Sequence, residues 1–149
     1  MREIDHYVAA SSDRAGCCVI AARQDQARVA EVRGCLLEAQ FELADGSRLL
    51  WLTDDSPHDE GLHIHLLGEA ETVEDSLEAG TDFAAGILKF IQIGERTIEF
   101  SFFLNAATYR LEVGVAACQR LRLPAGWRYE RRFKPHRLTV SVTHTPSGD

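Results

Sequence analysis

Apolar residues in this chain return at every second position, segment after segment, and that period constrains the fold more than any motif. Leu37, Ala39, Phe41 and Leu43 alternate with Glu38, Gln40 and Glu42 across Leu36–Ala44. The same spacing recurs in Leu62–Leu67, Tyr109–Val115 and Leu138–Thr143, while Cys17–Ala22 is a short continuous apolar run. Successive side chains of a β-strand point to opposite faces, so a period of two marks strands with one buried side. Asp45-Gly46 lies between two apolar runs and predicts a hairpin, because its turn needs positive φ. Gly94-Glu95, between Ile87–Ile93 and Thr97–Phe103, predicts a second hairpin.

These signals predict a mainly β protein of about eight antiparallel strands, built as a meander barrel, a half-barrel or a sandwich, with room for one or two short helices. Asp25–Arg33 has the marks of a short helix: Asp25 as N-cap, Val29 and Val32 as an apolar face, Gly34 at the end. Thr72–Ala79 fits helix and strand equally.

At 149 residues, with 45% hydrophobic and 26% charged residues, the chain suits one domain, residues 1–149, and excludes disorder, collagen and coiled coil. No run of about 18 apolar residues is present, so no membrane span is expected. Met1–His6 carries no apolar leader segment, and Cys17, Cys18, Cys35 and Cys118 match no metal or redox spacing. Reduced, structural thiols and a cytoplasmic location are the expectation.

Charge is unevenly spread around a net −7. Asp54–Asp82 holds ten acids and no Lys or Arg, whereas Arg120–Arg137 holds seven bases against Glu130 alone. A strongly acidic stretch steers a basic protein partner electrostatically, the way inhibitor and immunity proteins work as a class. The same asymmetry lets the two runs meet within the chain or across a homodimer.

The acidic stretch contains His63 and His65, two apart on a predicted strand and therefore on one face, followed by Glu69. Paired imidazoles are a common start of a divalent-metal site. The string His63-x-His65-x-x-x-Glu69 resembles the metal-binding stretch of the cupin family, whose small β-barrels hold a metal with such residues. Pro124-Ala125-Gly126-Trp127-Arg128-Tyr129 resembles that family's second stretch, with Tyr129 in place of its histidine. The resemblance covers these two short stretches, and implies a metal-dependent enzyme using His63, His65 and Glu69. On alternation alone, both histidines are simply the polar side of a half-buried strand.

Residues 126–137 interleave Trp127, Tyr129 and Phe133 with Arg128, Arg131, Arg132, Lys134 and Arg137. Rings and guanidiniums together suit a ligand that stacks and carries anionic groups, so Trp127, Tyr129, Arg128, Arg131 and Arg132 are the candidate ligand-binding residues. The acidic whole argues against nucleic acid. If this segment is a strand, its aromatics belong to the core instead. No nucleophile elbow or zinc-protease string is present. The sequence therefore favours a non-enzymatic protein-binding module. A small-molecule carrier with an apolar barrel interior follows, and then the cupin-like enzyme.

Overall fold

The computed structural model describes residues 1–54, 61–80, 86–103, 107–118, 122–131 and 134–144. Thirteen strands are found there, and no helix. They are β1 (Arg2–Glu3), β2 (Tyr7–Ser11), β3 (Cys17–Ala22), β4 (Arg28–Arg33), β5 (Leu36–Glu42), β6 (Arg48–Thr53), β7 (Leu62–Leu67), β8 (Val73–Ala79), β9 (Gly86–Ile93), β10 (Thr97–Phe103), β11 (Thr108–Cys118), β12 (Trp127–Tyr129) and β13 (His136–His144). All pairings are antiparallel, in three sheets ordered β1-β5-β6-β7-β8-β12, β13-β11-β10-β9 and β2-β3-β4. The β expectation holds, but the sheets do not close into a barrel.

The six-stranded sheet buries both faces. Leu49, Trp51, Leu62, Ile64, Leu66 and Leu77 join Phe100, Tyr109, Leu111, Leu138 and Val140 of the four-stranded sheet in the larger core. Leu50, Leu52 and Leu67, on the opposite face, join Tyr7, Cys18, Ile20 and Val32 of the three-stranded sheet in a smaller one. Burying two faces explains why β6 is apolar at both parities in sequence, from Leu49 to Leu52.

Both predicted hairpins are present, as β5–β6 and β9–β10. Gly46 takes φ +87° at the first, and the Asp45 carboxylate accepts the Ser47 amide at 2.9 Å. The expected helix over Asp25–Arg33 is instead a turn followed by β4. Asp25 caps that turn by accepting the Ala27 amide at 3.0 Å, and Gln26 sits at φ 60°. Asp favours helix starts and tight turns for the same reason, namely that its side chain bonds nearby backbone N–H groups. Gly34 does not end a helix but lets the chain pass Leu52: it has φ +113°, and a Cβ there would lie 2.6 Å from the Leu52 Cβ. Thr72–Ala79 resolves as strand, β8.

One irregularity redistributes the alternation read in β5. The register with β6 slips between Leu37 and Ala39, leaving Glu38 as an extra residue. Leu37 consequently packs on the smaller core, while Ala39, Phe41 and Leu43 belong to the larger.

Candidate functional site

Two clusters that the sequence separates by some sixty residues become neighbours because β12 pairs with β8 and β8 with β7. One row across these strands reads His63, Glu78, Arg128, and His65 lies opposite Ser76 in the next. Glu130 follows β12 and donates its amide to the Ser76 carbonyl at 3.1 Å. His63 and His65 do share a face, the one turned toward the three-stranded sheet, with their rings parallel and 6.4 Å apart. The last residue of β4, Arg33, closes the group from above. Its guanidinium lies 3.6 Å from Glu78 and 3.5 Å from Glu130.

His65 is fully buried and bonded at both ring nitrogens. The Arg33 carbonyl can only accept, so Nε2–H donates to it at 2.9 Å. Nδ1 therefore carries the lone pair, and the Ser76 hydroxyl donates to it at 2.7 Å. Burial pushes the imidazole pKa below its ordinary value, against the opposing pull of the Arg33 carbonyl and Glu130. His63 is oriented by Asp54, whose carboxylate accepts from Nε2 at 3.0 Å. Its Nδ1 is buried without a hydrogen-bond partner and lies 3.7 Å from Glu78.

These residues do not fit a cupin metal centre. Glu69 sits in the β7–β8 turn beside Gly46, at the far end of the strand from His63. At about 3.3 Å per residue, the four strand steps from His63 to Leu67 alone span roughly 13 Å. Both nitrogens of His65 are already committed, and Tyr129 stacks on His136 with its hydroxyl donating to the Leu138 carbonyl at 2.6 Å. Among the described residues, no three His, Cys, Asp or Glu side chains converge on one point.

The aromatic half of the basic segment turns inward. Trp127 is buried against Phe100 and Tyr109, with ring centroids 5.8 and 5.5 Å away. Its flat faces are thus spent on packing. Arg132 and Phe133 lie outside the described residues, as do His58, Asp59 and Glu60. Arg128 is bound to Glu78, and Arg137 to Glu74 at 2.6 Å and Asp45 at 3.2 Å. Of the six described acids in Asp54–Asp82, Glu71, Glu74 and Glu78 pair with Arg48, Arg137 and Arg128, Asp54 and Asp75 bond to His63 and His136, and Glu69 makes no ion pair among the described residues. The basic and acidic runs thus meet at two points, Arg128 with Glu78 and Arg137 with Glu74.

What remains open is a polar groove of about 280 Å³ between β4, β8 and the residues after β12. Arg14, Cys17, Glu31, Arg33, His65, Ser76, Glu78, Glu130 and Arg131 line it. All three glutamates have partners: Glu78 and Glu130 hold Arg33, and Glu31 holds the Ser12 hydroxyl and Arg28. The exposed side chains of Arg14 and Arg131 make no ion pair among the described residues. Of this set, sequence reading singled out His65 and Arg131. Arg14, Arg33 and Glu78 were invisible to it, since only the sheet pairing gathers them. Glu130 left a faint trace, as the lone acid in a basic run.

The space between the six- and four-stranded sheets is filled by Trp51, Phe41, Phe100 and Phe102, each essentially inaccessible. An interior pocket of the kind a barrel carrier uses has no room there. No family model matches the chain, and comparison with curated proteins and with solved structures finds no significant similarity.

Proposed function

We propose that this protein is a non-enzymatic binding module, and that its recognition site is the polar groove of Arg14, Arg33, His65, Glu130 and Arg131. The reading is carried by a mismatch in that groove. Its acids are satisfied by the protein's own cations, while two of its three arginines are left over. A partner presenting a carboxylate or phosphate between Arg14 and Arg131 meets donors that need no existing pair to break. The ion-paired floor beneath supplies rigidity, which limits the ordering cost of binding.

Three of the six described acids of the acidic stretch, Glu71, Glu74 and Glu78, are likewise held by arginines. Titration of isotope-labelled protein with inorganic phosphate and with N-acetylglutamate tests the proposal. The expected result is amide shifts confined to Arg14, Ser76, Glu130 and Arg131. They should be lost in the double variant Arg14→Ser, Arg131→Ser. Shifts scattered over the surface, or retained in that variant, would refute it.

A further inference from the structure

A second groove, of about 470 Å³, opens on the other side of the three-stranded sheet. One wall is the outer edge of β2, and the other is β5. At its closed end β1 covers Glu42 and Phe41, and the Ile4 amide donates to the Gln40 carbonyl at 3.0 Å. There β1 stops. From Leu36 to Ala39, β5 has β6 on one side and no strand on the other among the described residues. β2 is likewise the last strand of its sheet.

Gln40 shows how the two edges are joined where they meet. Its side-chain oxygen accepts the Tyr7 and His6 amides at 2.9 and 3.0 Å, and its nitrogen donates to the Tyr7 carbonyl at 3.0 Å. The amide thus imitates one rung of a strand. Beyond it the edges diverge, and the next rungs are missing.

We propose that this groove is a docking site for an extended peptide segment of a partner protein, with alternate basic and apolar side chains, which adds as a strand along Leu36–Ala39. Unpaired strand edges bind extended chains through main-chain hydrogen bonds, and flanking side chains supply the specificity. Two features select this occupant. Glu3, Asp5 and Glu38 line the groove against Arg23 alone, and Arg23 is held by Asp5 at 2.8 Å. Leu36, 46% exposed, and half-buried Leu37 add apolar surface to the groove. This surface shares no lining residue with the Arg131 groove, so either site stands or falls without the other.

The probe is a capped hexapeptide of alternating Lys and Val, titrated into isotope-labelled protein, with the Glu-Val analogue as its control. Binding of the Lys-Val peptide should shift the amides of Val8, Ala9 and Leu36–Glu38, and weaken at high salt. Glu38→Lys combined with Glu3→Lys should reduce affinity at least tenfold while leaving the rest of the spectrum unchanged. Equal binding of the Glu-Val peptide, shifts centred elsewhere, or no shift at millimolar peptide would each overturn the proposal. Line broadening of the same amides with protein concentration and no peptide would also overturn it, by showing a second copy of the chain to be the occupant.

Discussion

The two faces of the six-stranded sheet are solved by different physics. On the face of Leu49, Trp51, Ile64 and Leu66 apolar packing dominates, with twenty buried hydrophobic residues among those described and one buried polar pair, Asp75 and His136. Trp51 meets Phe90 and Phe100 edge-on, with centroids 5.0 and 4.9 Å away. On the other face, among the described residues, seven buried hydrophobic residues cluster. Gln40, His63, His65, Ser76 and Glu78 are buried on that face as well. The first face is held by filled volume, which tolerates no cavity. The second is held largely by hydrogen bonds, His63 Nδ1 being the exception among its buried polar groups. The grooves open on the second side, because polar groups can remain partly wet without penalty.

The sharpest way to break this comparison is to remove volume from the first face. Trp51→Ala should cost about 3–5 kcal/mol, read as the shift in denaturant midpoint. A smaller loss would mean the aromatic cluster is looser than its geometry. On the second face, Gln40→Ala removes little volume but orphans two backbone amides and a carbonyl. A cost of about 1–3 kcal/mol is expected from chemical denaturation, and a value near zero would show that water replaces the side-chain rung.

The smallest effect is the most specific to that face. His65 has its pKa depressed in the folded protein, so the unfolded chain takes up the proton first. Its contribution is complete above the unfolded value of about 6.5 and is lost as pH falls below it. His65→Gln, which keeps a donor and an acceptor, should therefore flatten the stability profile below pH 6.5 by about 1 kcal/mol per pH unit. Parallel profiles for the two proteins would remove His65 from the account.

The strands were legible because burial of one face leaves a period of two, and Asp45-Gly46 because its turn chemistry is local. The third layer was not legible. The unbroken Leu49–Leu52 run is that of a strand buried on both faces, but nothing in it tells which segment covers the second face. The helix expected at Asp25–Arg33 failed because cap and turn signals are the same chemistry, and pairing of Arg28–Arg33 with Cys17–Ala21 decided between them. For the candidate site, the shared face of His63 and His65 followed from spacing alone. Its assembly with Glu78, Arg33 and Arg131 depends on which strands lie side by side, a long-range property that alternation does not encode. Trp127 was misleading for a related reason: an aromatic beside arginines looks the same whether its ring faces a ligand or Phe100.

The surrogate rung at Gln40 has one more consequence. The β2–β3–β4 ribbon is knit internally by neighbouring hairpins, yet it is hung on the body of the molecule through a small greasy seam, the Gln40 amide and the polar contacts of its two outer strands at Tyr7 and Arg33. Such a flap detaches as a unit at lower cost than the body comes apart, so amide protons in β2–β4 should trade with solvent deuterium well before those of β6 and β7.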